Sequence, residues 1–143
     1  MSYPSIFNDV IGPVMRGPSS SHCAAALRIG RFCHDMMDGR ISDIVIDFDP
    51  NGSLATTHKD QGSDMGLFGG CLGWEAYDER LVQSEMHLGA AGIKYEINIK
   101  ELRYDHPNTY QITLTNPWEK HQIIANSTGG GMIEVIEIDW VKV

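Results

Sequence analysis

Between Ser21 and Met37, apolar side chains recur every three or four residues, as Ala25/Ala26, Ile29, Phe32/Cys33 and Met36/Met37. That spacing predicts an amphipathic helix with one inward stripe, and Asp38-Gly39 supplies its stop signal. His22 stands four residues before Ala26, on the same stripe at the first turn, so it is expected to face the protein or a partner rather than bulk water. The period then changes to two. Ile44, Ile46 and Phe48 share one face of a predicted strand over Ser42–Phe48, and Asp49-Pro-Asn-Gly52 predicts a turn. Leu54–His58 is expected to return as a second strand. Lys59–Asp64 is a polar loop with a helix cap expected at Ser63 or Asp64. Met65–Trp74 is apolar and carries Gly66, Gly69, Gly70 and Gly73, which predicts a short helix able to approach another element closely. Asp78–Gly89 reads as a further helix with Leu81, Met86 and Leu88 inward.

From Ile93 onward the pattern is β-rich. Ile93, Tyr95, Ile97 and Ile99 alternate with Lys94, Glu96, Asn98 and Lys100, as in a strand with one wet face. The turn at His106-Pro-Asn108 precedes a strand over Thr109–Thr115. Asn116-Pro117 separates it from a strand over His121–Asn126, and the Ser127–Gly131 glycine loop leads into a strand over Met132–Asp139. Consecutive short strands joined by tight turns favour antiparallel pairing. The expected fold is α+β, an antiparallel or mixed β-sheet with helices packed on one face, in a single domain.

The chain has 143 residues, enough for one domain with its own core. A formal charge of -8 argues against nucleic acid and anionic membrane as partners, while leaving a small acid open as ligand, because a few local dipoles and arginines dominate a single pocket. Cys23, Cys33 and Cys71 form no close pair and are expected to be reduced thiols in a cytoplasmic protein. Their spacing suits neither a zinc site nor a complete iron–sulfur cluster within this chain, so no metal ligands are assigned.

The densest candidate chemistry lies in Ile11-Gly-Pro-Val-Met-Arg-Gly-Pro-Ser-Ser-Ser-His22. Pro13 and Pro18 stiffen the loop. Ser19, Ser20 and Ser21 compete for the N-cap of the following helix, whose unpaired amides suit a carboxylate or phosphate. His22 would place an imidazole beside that anion pocket. An ordinary capped helix with a packed histidine accounts for the same residues.

Taken together, these motifs resemble the β subunit or β domain of iron–sulfur-dependent L-serine dehydratases. That family shows Ile-Gly-Pro and then Gly-Pro-Ser-Ser-Ser-His-Thr, against Ile11-Gly12-Pro13 and Gly17-Pro18-Ser19-Ser20-Ser21-His22-Cys23 here. Its Gly-His-Gly-Thr-Asp loop is similar to Asp60-Gln61-Gly62-Ser63-Asp64, its His-Pro-Asn-Thr segment to His106–Thr109, and its Ser-x-Gly-Gly-Gly strand entry to Ser127–Gly131. The resemblance implies a lyase that converts L-serine to pyruvate and ammonia. It implies a [4Fe-4S] cluster held by a separate α chain, an oligomeric assembly with that chain, and no activity of the β portion alone. It also implies a fold like the allosteric substrate-binding domain of phosphoglycerate dehydrogenases. Residues 1–143 are expected to form one serine dehydratase beta-type domain, without an ACT domain.

On this reading His22 is the catalytic candidate, as proton carrier or hydrogen-bond donor, and Ser19, Ser20, Ser21 and Asp64 are the substrate-binding candidates. Asp64 either orients a neighbouring group or merely caps its helix, and His106, Asn108 and the glycine run serve as turn chemistry. Two departures bear on the chemistry: Gln61 stands where the family loop has histidine and cannot exchange a proton near neutral pH, and Cys23 replaces a threonine. The alternatives are a regulatory module binding an amino or hydroxy acid, a diverged dehydratase subunit for another hydroxy acid, and a subunit whose main work is assembly.

Overall fold

The computed structural model describes residues 20–58, 62–102, 104 and 106–143, with the side chains of Ser20 and Ser21 excepted. Helix α1 runs Ser20–Met36 and strand β1 Asp43–Phe48, both within a residue of the periodicity reading. Short helices α2 (Leu54–Thr57), α3 (Ser63–Cys71) and α4 (Ser84–Ala90) follow, with a 3-10 turn at Glu79–Gln83 between the last two. The remaining strands are β2 (Lys94–Ile99), β3 (Thr109–Thr115), β4 (Lys120–Gly129), β5 (Met132–Ile138) and β6 (Val141–Lys142). They form one six-stranded sheet in the order β2-β1-β3-β4-β5-β6. The fold is therefore α+β with a mixed sheet: β1 and β2 are parallel, and every other neighbouring pair is antiparallel.

The parallel pair explains why Leu54–His58 is not a strand. β1 is hydrogen-bonded on one side by β3 and on the other by β2, so no edge is left for a returning hairpin. The chain must cross over between the parallel strands β1 and β2, and α2, α3 and α4 make that crossing. Locally, the Ser53 carbonyl accepts hydrogen bonds from the Thr57 hydroxyl at 2.7 Å and the Thr56 hydroxyl at 3.4 Å, while the Ser53 amide donates to the Pro107 carbonyl. A second difference concerns Met86, expected inward and 60% exposed. Met86 and Leu88 are two positions apart in α4, about 200° around the helix, and the buried one is Leu88.

The core lies between the helices and one sheet face. Ile44, Ile46 and Phe48 of β1 and Tyr110, Ile112 and Leu114 of β3 pack against Ala26, Ile29 and Cys33 of α1. α1 and α3 meet backbone to backbone. A Cβ at Gly66 would lie 2.2 Å from the Cys23 carbonyl oxygen, one at Gly70 2.1 Å from that of Leu27, and one at Gly30 2.3 Å from that of Leu67. The glycine-rich reading of residues 65–74 is thus realised as a helix whose near-absence of side chains lets it touch α1 directly. This contact brings the first turn of α3 beside the first turn of α1.

On the other sheet face, one cross-strand row runs Asn98, Asp47, Gln111, Ile124, Glu137 and Lys142 through all six strands. Asp47 is 2% exposed there and accepts hydrogen bonds from Asn98 Nδ2 at 3.1 Å and Gln111 Nε2 at 2.8 Å. Tyr104 closes over the row by donating its hydroxyl to Glu137 Oε2 at 2.5 Å. No helix among the described residues is long and apolar enough to cross a membrane.

Candidate functional site

The N-terminal end of α3 carries the most organised polar chemistry. Gly62, at φ +79°, is its N-cap. Neither Ser63 nor Asp64 serves that role: the cap position is left-handed, a conformation that suits glycine. Asp64 sits in the first turn, and both carboxylate oxygens lie within reach of His58 Nδ1, at 2.8 Å and 2.9 Å. The Asp64 amide also donates to the His58 carbonyl at 3.0 Å, so backbone and side chain together tie the two ends of this loop. The His58 ring stacks on Phe48, with centroids 5.1 Å apart.

This arrangement defines the tautomer. An ionised carboxylate only accepts, so Nδ1 carries the proton and Nε2 presents its lone pair in the neutral ring. His58 makes no hydrogen bond through Nε2 among the described residues. The pair lines a pocket of about 300 Å³, with Phe68, Glu85, Tyr95 and Ile97 among its other walls. The Tyr95 hydroxyl donates to Glu85, and that bond pushes the phenol up to about 12, so it stays protonated at physiological pH. The pocket is therefore lined by an imidazole, carboxylates and apolar surface.

Behind the pair, Ser63 is 1% exposed. Tyr110 is buried nearby. Burial pushes its hydroxyl far above the usual range; a hydrogen bond with the Ser63 side chain pulls it back in part, while Asp64 and Cys23 add to the rise. Tyr110 thus marks where the first turns of α1 and α3 converge.

Of the residues singled out from sequence, Asp64 is at this convergence, and its carboxylate orients a neighbouring group, His58. His22 is half-buried in the first turn of α1, next to Cys23, whose carbonyl abuts Gly66. α1 begins at Ser20, and Ser20 and Ser21 are in its first turn. Ser19, the Ile11–Pro18 motif and Gln61 lie outside the described residues, as do the Ser20 and Ser21 side chains. His106 and Asn108 serve the turn as expected: His106 Nδ1 accepts from the Asn108 amide at 3.0 Å. The Gly129–Gly131 run turns β4 into β5 with three positive φ angles, and Arg28 of α1 donates to the Gly131 carbonyl at 3.2 Å.

Sequence reasoning missed His58, Glu85 and Tyr95. His58 was placed at the end of a strand that does not exist, and its only local signal is a carboxylate six residues downstream across a polar loop. Among the described residues no three His, Cys, Asp or Glu side chains converge as a metal ligand set. Cys23, Cys33 and Cys71 are buried and form no disulfide among the described residues. Burial raises the Cys33 thiol well above its usual value, and the adjacent Cys71 raises it further. Inert core thiols of this kind do not fit the ligation of an iron–sulfur cluster, which needs exposed or convergent thiolates.

Fold and site together define an α+β fold with an oriented His–Asp pair at the N-terminal end of α3, lining a pocket between α3, α4 and β2. No family model matches the chain. It is 39% identical over 139 residues to a Bacillus subtilis (strain 168) protein named probable L-serine dehydratase, beta chain, covering 97% of this chain and 62% of that relative. It is 34% identical over 137 residues to the L-serine dehydratase, beta chain, of Peptoniphilus asaccharolyticus, covering 94% of this chain and 61% of that relative. The resemblance to L-serine dehydratase beta chains read from the motifs therefore extends over nearly the whole sequence. The chain spans about three fifths of the length of the curated relatives it matches.

Proposed function

We propose that this chain is the β subunit or β domain of a two-part L-serine dehydratase, a lyase converting L-serine to pyruvate and ammonia. The observation that carries the reading is the similarity to two L-serine dehydratase beta chains over 94–97% of the chain. The pocket beside His58 and Asp64 supports it, being of a size for a small amino acid. On this proposal residues 1–143 act as one serine dehydratase beta-type domain, in the cytoplasm, in an oligomer with an α chain. A [4Fe-4S] cluster held by that partner supplies the Lewis acid that makes the serine hydroxyl a leaving group.

The work left to this chain is to bind and orient the amino acid and to manage protons. Ser19, Ser20 and Ser21, leading into α1, offer amides and hydroxyls to the substrate carboxylate. His22, one residue further, donates a hydrogen bond or carries a proton at the same corner. Asp64 contributes a fixed negative charge beside the pocket. Docking of the α chain over this corner excludes water and completes the site.

Co-expression with a cluster-bearing α chain, followed by an anaerobic assay for pyruvate, tests the proposal. The complex is expected to form pyruvate from L-serine and neither chain alone is expected to do so. Binding of L-serine by the isolated chain, with no turnover in any pairing, would establish a regulatory module instead.

A further inference from the structure

We infer that His58 is the proton-accepting imidazole of this site and that Asp64 is its positioning residue. The inference rests on the serine dehydratase reading and deepens it by assigning a group that neither the motifs nor the relatives' names single out.

Three observations converge on His58. Its Nδ1 is engaged by both oxygens of Asp64, at 2.8 Å and 2.9 Å, which fixes the ring and leaves Nε2 as the basic atom. Stacking on Phe48 restricts rotation about the side chain. The side chain is 19% exposed, so it is largely shielded yet open to the pocket it lines. A carboxylate behind an imidazole that lines a pocket is the arrangement of a general base held in one tautomer. Gln61, three residues on, has no titratable group to compete for the role.

The step balances without an added reagent. The Cα–H bond of L-serine breaks and its proton goes to His58 Nε2. The electron pair left behind forms the Cα=Cβ bond while the Cβ–O bond breaks. The departing hydroxide takes up a proton and leaves as water, and the imidazole returns to neutral. The 2-aminoacrylate then tautomerises to an imine, which water hydrolyses to pyruvate and ammonia.

The test uses the complex of the full chain with its cluster-bearing partner. His58→Gln keeps a donor toward Asp64 but cannot accept a proton, and is expected to lower kcat by about 10²–10⁴-fold with KM changed less than about threefold. The deuterium isotope effect on kcat, measured with serine labelled at Cα, is expected to rise. His58→Ala is expected to regain activity with added imidazole, an effect that a purely structural role would not produce. Asp64→Asn, which leaves the imidazole present but loosely held, is expected to lose about tenfold or more in kcat. Melting curves and co-elution with the partner verify that each variant folds and assembles. A wild-type complex without serine turnover overturns the lyase reading together with this inference. An active wild type with His58→Gln retaining kcat within about threefold, or with no imidazole rescue of His58→Ala, overturns the role of His58 alone.

Discussion

Gly70→Ala is the sharpest test of how this fold is held together, because two opposing effects of known size meet at one atom. In an ordinary helix the change stabilises by about 1 kcal/mol, through reduced backbone freedom in the unfolded chain. At Gly70 the new Cβ would lie 2.1 Å from the Leu27 carbonyl oxygen, 2.7 Å from the Arg31 nitrogen and 2.8 Å from the Gly30 Cα. Non-bonded carbon contacts settle at about 3.5–4.0 Å, so α3 and α1 must part by about 1 Å. All three obstructing atoms are backbone, and no rotamer change relieves them. Overpacking costs about 1–3 kcal/mol, and rigid neighbours on every side place this case at or beyond the upper end. The net expectation is a loss of about 2 kcal/mol, or a fall in Tm of about 6 °C for a domain of this size. Gly89→Ala is the matched control, since nothing lies within 4 Å of a Cβ built there. It should raise Tm by about 2 °C through the propensity gain alone. The assay is thermal unfolding followed by circular dichroism, with urea melts for the free energies. If Gly70→Ala melts at or above the wild type while Gly89→Ala behaves as stated, the helices are not in backbone contact and the placing of Asp64 beside α1 loses its basis.

Other positions give independent tests. Asp47→Ala strands the amide donors of Asn98 and Gln111 on the far sheet face, and should cost about 2 kcal/mol in urea denaturation; a loss below about 0.5 kcal/mol would show that water replaces the carboxylate. The hydrogen bond to Asp139, at 2.7 Å, raises the His121 pKa above its ordinary value, with a smaller contribution from Glu119. A raised folded-state pKa means that the stabilisation is fully present below about pH 6.5 and disappears as pH rises through the folded value. The stability difference between wild type and His121→Gln should therefore shrink with rising pH, and a difference that grows would refute the pairing. Asp139 and Trp140 form the two-residue β5–β6 turn with φ of +50° and +68°. Trp140→Gly should stabilise by about 1 kcal/mol by relieving the left-handed strain, as read from Tm.

The long periodic elements were legible in the sequence because their signal is local. The Ala25-to-Met37 stripe and the alternation at Ile44–Phe48 each reflect one face turned to the core, and α1 and β1 follow them within a residue. The turns at His106–Asn108 and Gly129–Gly131 were equally readable, since glycine, proline and asparagine act through their own backbone preferences. The mixed sheet was open in the sequence as one of two options, and strand order decided it. Once β1 is flanked by β2 and β3, Leu54–His58 has no ladder to join and becomes a helical turn.

The site follows the same division. Asp64 stood out beside a loop, but its partner did not, because a hydrogen bond between side chains six residues apart depends on how the intervening loop closes. That closure depends on a left-handed Gly62 and on α3 lying against α1 with no side chain between them. Local chemistry is written in residue order, so the sequence by itself determined the long periodic elements, the turns and the net negative charge of the chain. The pairing of His58 with Asp64 and the backbone contact of α3 with α1 are consequences of packing between segments apart along the chain, and only the tertiary structure decided them.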